Sequence, residues 1–299
     1  MSAESETSVP EGATVAAAEA PGGSGRKRSF KLSPSATVAA VILALVVIVA
    51  VLAPVLAWRD PSAIDPVNRL KLPSSEFWLG TDAFGRDVYA RVVYGARTSL
   101  LIGLGAALVS VSVGLVLGVV AGYVRLADAP IMRAMDGVMA IPGILLAIAL
   151  VSLTGGSLLT VLIAITIPEI PRVVRLVRSI ILSIRHEPYV EAAISLGTRV
   201  PTLLMRHMVP NTLAPLVVQG THIFASAILV ESALSFLGLG LPSETPSWGS
   251  VMSEGRVYFQ MRPGLILYAA AFLAVTVLSV NVLADAMRDA IDPKTARRL

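Results

Sequence analysis

The sequence predicts an all-α integral membrane protein with six transmembrane helices, and three observations carry that reading. Hydrophobic residues make up 55% of the 299-residue chain and charged residues only 15%, the reverse of a soluble protein's charge-rich surface. The apolar residues come in unbroken runs of about 20, which at ~1.5 Å per helical residue cross a ~30 Å hydrocarbon core. Arginine and lysine gather mainly beside these runs, so the pI of ≈ 9.6 reflects membrane topology and does not call for nucleic acid. Cysteine is absent, which removes disulfides, thiolate nucleophiles and Cys-based metal sites.

The elements follow in order. Residues 1–36 are expected to be a disordered N-terminal cytosolic tail: Ala, Glu, Ser, Gly and Pro without an apolar period, then Arg26, Lys27, Arg28 and Lys31. The first span, 37–57, ends at Trp58 and exceeds the ~7–15-residue core of a signal peptide, so it reads as an uncleaved anchor. With the extracytoplasmic segment after it, this span forms the unit 37–98. A core transmembrane domain, 99–287, holds the remaining spans at 99–123, 135–153, 158–177, 213–236 and 265–287, with a loop at 178–212. Residues 288–299 form a cytosolic C-terminal tail. With the first tail inside, Lys and Arg divide 16 inside to 8 outside, the bias expected of this orientation.

Within the spans, a few residues stand apart. Ala106, Ser110, Gly114, Gly118 and Gly122 recur every four positions, a ridge of small residues that lets another helix approach closely, within the chain or from a partner. Pro168 and Pro171 flank Glu169 in the fourth span, where freed backbone groups need neighbours or a cavity. Asp136, Glu169 and Glu231 are carboxylates within or near spans; each either lines a substrate route or belongs to a structural pair. Asn281 in the last span reads as a helix–helix hydrogen bond, with a pore or gate role as the alternative.

Resident chemistry is missing. Of four lysines only Lys294 precedes a Thr, and it follows Asp292-Pro293, so no P-loop exists. His186, His207 and His222 share no metal-ligand spacing, and neither His-Glu-x-x-His nor Gly-x-Ser-x-Gly occurs. No catalytic residue, metal site or cofactor site is expected in this chain.

The polar loop 178–212 is the segment that lipid does not explain. Glu187 and Pro188 suit a helix N-terminus, and Gly197 suits its stop. A second short helix is expected from Thr198, with Pro201 in its first turn, ending before Pro210. Along the first helix Glu191, Ala192 and Ser195 are expected on one face, and Tyr189, Ala193 and Leu196 on another. The residues alone leave two readings: a helix gripped by a cytosolic partner, or an amphipathic loop lying on the membrane surface.

The pattern Glu191-Ala192-Ala193-x3-Gly197-x12-Pro210 resembles the EAA loop of ABC importer permeases, with His207 and Val209 departing from the usual residues and Pro201 inside the second helix. Further stretches resemble the second permease subunit of the dipeptide/oligopeptide/nickel transporter family. They are Leu79-Gly-Thr-Asp-Ala-Phe-Gly-Arg-Asp-Val88, Tyr94-Gly-Ala-Arg97, Met132-Arg-Ala-Met-Asp136 with Pro142, Arg206-His207-Met-Val-Pro210-Asn211, Glu231-Ser-Ala-Leu-Ser-Phe-Leu-Gly-Leu-Gly240, Thr245-Pro-Ser-Trp-Gly249 and the terminal Asp292-Pro293. The resemblance covers roughly residues 35–295. It implies a type I importer permease fold and a non-enzymatic pore subunit in the inner membrane of a prokaryote, with both termini cytosolic. The implied partners are a second, homologous permease, two ATPase subunits that hold ATP and Mg, an extracytoplasmic substrate-binding protein and membrane lipid. The implied ATPase-coupling residues are Glu191, Ala192, Ala193, Ser195, Gly197, Arg206 and Pro210. The implied cargo is peptide, with nickel, glutathione, opines or oligosaccharides as alternatives within the same architecture. An ATP-independent channel or secondary transporter is the reading from another class; it calls for a selectivity filter or half-to-half repeat, and neither is visible.

Overall fold

Ser33 opens the first helix. Its side chain accepts the Ala36 N–H at 3.2 Å and Pro34 takes the first position, so α1 (Pro34–Val51) begins inside the segment assigned to the tail. This computed structural model describes residues 33–291; the rest of the expected tail and residues 292–299 lie outside the described residues. Pro54 cannot donate to the preceding turn, and the helix breaks at Leu52 before the single turn α2 (Ala53–Leu56).

A loop with a bridge between Thr81 and Asp87 leads to α3 (Val88–Tyr123). Asp87 caps it by accepting the Tyr89 N–H at 3.0 Å. At 36 residues α3 is ~54 Å long, well beyond the ~30 Å of hydrocarbon it has to cross. It starts at Val88 rather than at residue 99, because Arg91 and Arg97 interrupt the apolar run without interrupting the helix.

The third expected span is not one helix. α4 (Arg125–Met139) and α5 (Gly143–Thr154) meet at 83° across Ala140, Ile141 and Pro142. Pro142 offers no N–H and disfavours helix at the residue before it, so the run breaks there. α5 then extends only ~18 Å and stops at Gly155, whose φ of +84° is left-handed. Next comes α6 (Leu158–Ile184), 27 residues long and carrying Glu169, Arg172, Arg175 and Arg178.

α7 (Pro188–Ser195) and α8 (Val200–Leu203) follow. The second short helix does not end before Pro210. It widens into a π-turn (Leu204–Met208) in which Val209 N–H reaches back five residues to Leu204 O at 2.8 Å, and then runs into α9 (Pro210–Phe236). The wider turn reaches Pro210, which has no N–H to donate, without ending the helical path. α10 (Trp248–Gly255) carries a capping box in which Ser247 and Ser250 satisfy each other's backbone N–H groups. α11 (Gly264–Ile291) continues past residue 287 into the expected C-terminal tail.

Among the described residues, α1, α3, α9 and α11 are long and apolar enough to cross a membrane, and the bent α4–α5 pair brings the number to five. α6 is long enough but too highly charged to qualify by apolarity, so length and hydropathy do not reproduce six spans.

α3 is the central helix, with α6, α9 and α1 packed along it. The ridge faces α6: a Cβ on Gly114 would collide with the Val173 side chain, one on Gly118 would lie 2.6 Å from Val177 Cβ, and one on Gly122 2.7 Å from Ile181 Cβ. Ser110 is buried and donates to Thr166 O at 3.4 Å. This seam is internal. Three apolar clusters stack along α3: one around Trp248 with α1 and α11, one joining α5, α6 and α9, and one joining α6 to Val190, Ala193, Leu203 and Met208.

Candidate functional site

At one end of the bundle α7 stands off the α6 and α9 helices. It is stopped by a Schellman turn: Gly197 takes φ +75°, its N–H bonds Ile194 O at 2.9 Å, and Thr198 N–H bonds Ala193 O at 3.1 Å. Val190 and Ala193 face inward and belong to the core, while Tyr189 and Leu196, expected on the same face as Ala193, are exposed. The outward side presents Glu191, Ala192 and Ser195 together with Ile194 and Leu196, the last 86% exposed. Ser195 Oγ is turned back to Glu191 O at 3.0 Å, leaving the Glu191 carboxylate without a hydrogen-bond partner among the described residues. Arg206 and Pro210 are exposed nearby, and Met205 adds an apolar side chain. Asn211 ties α7 to α9 by donating to Tyr189 Oη at 3.3 Å and to His207 O at 2.7 Å.

Halfway along α6, the break between α4 and α5 opens a cleft of about 330 Å³. Pro142, Gly143 and Ile144 form one wall, Pro168, Glu169 and Arg172 a second, and Ser226 and Val230 of α9 the third. Glu169 is buried, and both its oxygens accept from Arg172 Nη1, at 2.8 and 2.9 Å. The Arg172 side chain is 53% exposed. Its Nε and Nη2 have no hydrogen-bond partner among the described residues. One and two turns further on, Arg175 bonds Asp136 at 2.6 Å and Arg178 bonds Asp128 at 2.5 and 2.7 Å, fastening α4 to α6.

The other expected polar residues are engaged elsewhere. Glu231 is fully buried and accepts from Ser235 and Ser247, each at 2.8 Å, which seats the start of α10 on α9. Trp248 lies beside it, donating its indole N–H to Val92 O at 3.1 Å. Asn281 is partly buried on α11 and makes no side-chain hydrogen bond among the described residues, so the expected helix–helix bond is not formed.

Sequence reasoning missed the polar clasp around α10. Asp82, held by the Phe84 and Arg86 N–H groups at 2.8 and 2.9 Å, bonds Arg86 Nε at 2.6 Å. Arg86 and Arg91 then both reach Glu254, at 2.5 and 2.9 Å, and both bond Ser243 O. Burial pushes the Glu254 carboxyl above its ordinary pKa, while the Arg91 and Arg86 guanidiniums pull it down. The signal that could have found it is two arginines at the head of α3, in a stretch too polar for a span.

Comparison with known proteins agrees with this architecture. Residues 114–297 match the family described as binding-protein-dependent transport system inner membrane component, and residues 27–73 match the N-terminal TM domain of oligopeptide transport permease C. A probable peptide ABC transporter permease from Sinorhizobium fredii is 50% identical over 80% of this chain and 82% of its own length. A dipeptide transport system permease from Alkalihalophilus pseudofirmus is 41% identical over 89% and 88%, and an oligopeptide transport system permease from Bacillus subtilis 35% over 89% and 87%. The inward-facing MetNI methionine ABC transporter gives a TM-score of 0.54 over 68% of this chain and 96% of that one, at 15% identity, a likeness of fold. On the family match, these identities and the fold they share, the chain belongs to the binding-protein-dependent transport system inner membrane components, as an ABC transporter permease subunit.

Proposed function

We propose that this chain forms half of the pore of an importer of peptides and receives the work of ATP hydrolysis at α7. The cargo follows the relatives, which are named as permeases for peptides, dipeptides and oligopeptides. The Lys/Arg asymmetry supports an inner-membrane orientation with α7 in the cytosol and α10 outside. In this reading a second permease completes the pore, two ATPase subunits carry the ATP and Mg, and an extracytoplasmic binding protein meets the surface around α10. In the same reading the ATPases, not this chain, hold the cofactor. ATP drives transport through a difference in affinity between two states of the assembly, transmitted through whatever the ATPases grip.

The observation that carries the proposal is α7 itself. It is a polar helix anchored by Val190 and Ala193, stopped by a left-handed Gly197, and offering Glu191, Ala192, Ile194, Ser195 and Leu196 outward. Exposed apolar side chains beside an unpaired carboxylate form a surface suited to a partner. Arg206 and Pro210 extend that surface. Of the four polar pore candidates, Glu169 opens onto a cleft, whereas Asp136 is held by Arg175 of α6 and Glu231 by Ser235 of its own helix and by Ser247 at the cap of α10.

The test is ATP hydrolysis in purified complexes. Gly197→Val, which forces a β-branched residue into left-handed backbone, and Glu191→Arg should each abolish substrate-stimulated hydrolysis while the chain still reaches the membrane. Undiminished stimulation in both variants would remove the coupling role from α7.

A further inference from the structure

The cleft at the α4–α5 break has a chemistry of its own. A buried carboxylate and a half-exposed guanidinium stand side by side on α6, Glu169 and Arg172, joined through a single nitrogen. Arg172 therefore keeps two unoccupied N–H groups, at Nε and Nη2, while Glu169 keeps acceptor capacity on both oxygens, since an ionised carboxylate offers about four lone-pair sites. Arg172 lines the cleft together with Ser226 of α9, and the remaining wall is apolar, from Ile141, Pro142, Ala147, Ile165 and Val230.

This combination selects by charge. An anion approaching Arg172 meets Glu169, and a cation approaching Glu169 meets Arg172, so a ligand of either single charge gains at one group and loses at the other. A molecule with an ammonium at one end and a carboxylate at the other gains at both and leaves the pair neutral. The bidentate fork of arginine suits a carboxylate in particular. The volume, about 330 Å³, lies at the lower end of the range for small-ligand sites.

We propose that the Glu169–Arg172 pair is a way-station for zwitterionic short peptides, in which Glu169 takes the free α-ammonium, Arg172 takes the free α-carboxylate, and the apolar wall takes the side chains. This assignment rests on the peptide-import reading and gives the membrane subunit its own requirement for two free termini. The pair opens partly to admit the ligand, exchanging one internal ion pair for two across the ligand, with no bond made or broken. Asp136 and Arg175, the next charges along the α4–α6 junction, are paired with each other and do not compete.

The chain contains no cysteine, so one can be placed as a reporter. In the full chain carrying Ser226→Cys, held in lipid nanodiscs without ATPase subunits, the rate of maleimide labelling is measured against trialanine. Labelling should slow as 1 + [L]/Kd, about tenfold at roughly ten times Kd. N-acetyl-trialanine and trialanine amide, each lacking one charge, should not slow it, and Glu169→Gln or Arg172→Gln should abolish protection by trialanine. A second chain with Ser157→Cys, in the turn before α6, should label at an unchanged rate throughout. Equal protection by the blocked peptides, or none by trialanine, overturns the proposal. The blocked-peptide comparison is made with Glu169 intact, so it decides the matter even if the substituted chains misfold. Because no ATP is present, loss of protection with normal ATPase coupling at α7 removes this site alone, whereas protection without coupling removes the import mechanism and keeps the site.

Discussion

At the α10 end, Asp82, Arg86, Arg91 and Glu254 close over one another away from solvent, and Glu231 is sealed beneath three serines. At the α7 end, Glu191, Arg206 and Ser195 stand in the open, and Val190, Ala193 and the Asn211–Tyr189 hydrogen bond hold the helix to the rest of the chain. The first region is over-determined: carbonyls, caps and guanidiniums from segments far apart in sequence all fix one arrangement. The second is held at three points and leaves the Glu191 carboxylate without a partner among the described residues. A surface that must meet a changing partner can be left unfinished, whereas a loop that must hold its shape without help has to satisfy its own polar groups.

The sharpest way to break the contrast is Glu254→Ala. It removes the carboxylate that Arg86 and Arg91 share and leaves only Asp82, bonded to Arg86, beside two buried guanidiniums. Losing one partner of a buried pair costs about 3–5 kcal/mol, and thermal melting in detergent should fall steeply. If it does not, the clasp is no more rigid than the α7 end. Next is Gly118→Ala at the seam, where the new Cβ would sit 2.9 Å from Val174 O, a backbone atom that cannot swing aside. Overpacking of this kind costs about 1–3 kcal/mol and should lower the melting temperature correspondingly. Gly197→Ala should cost about 1 kcal/mol, since no atom lies within 4 Å of the added Cβ and only the positive φ opposes it. Smallest is Arg59→Ala: its partner Glu76 is 3.0 Å away, but both side chains are largely exposed, and such pairs contribute about 0–1 kcal/mol. A large effect there would place the surface of the loop after α1 within the clasp.

Much of this was legible in the residues. The apolar runs of α1, α9 and α11 needed only length, and the seam needed only four-residue spacing, because a helix repeats its faces locally. The stop at Gly197 was legible for the same reason. The break at Pro142 was not: the proline is visible, but an apolar run reads the same whether it crosses a membrane straight or turns through 83°. Arg91 and Glu254 are 163 residues apart, and no local period announces such a pair. Spacing puts Tyr189, Ala193 and Leu196 on one side of α7, but that Ala193 alone of the three is buried is decided by the helix's anchors, not by its own pattern.

The π-turn at Leu204–Met208 has a mechanical consequence. From Val200 to Phe236 the chain is one helical path of ~55 Å, with the α7 loop at its foot and Glu231 near its head. Such a path yields first where its hydrogen-bond ladder is interrupted, at Pro215 inside α9 and at the five-residue π segment, which holds one more residue than an α turn would. Deleting a single residue from the π segment would let the turn rewind to α geometry with foot and head still in register, because the wide turn is what absorbs the extra residue. The path would then lose one of its two yielding points without altering one side chain at either end.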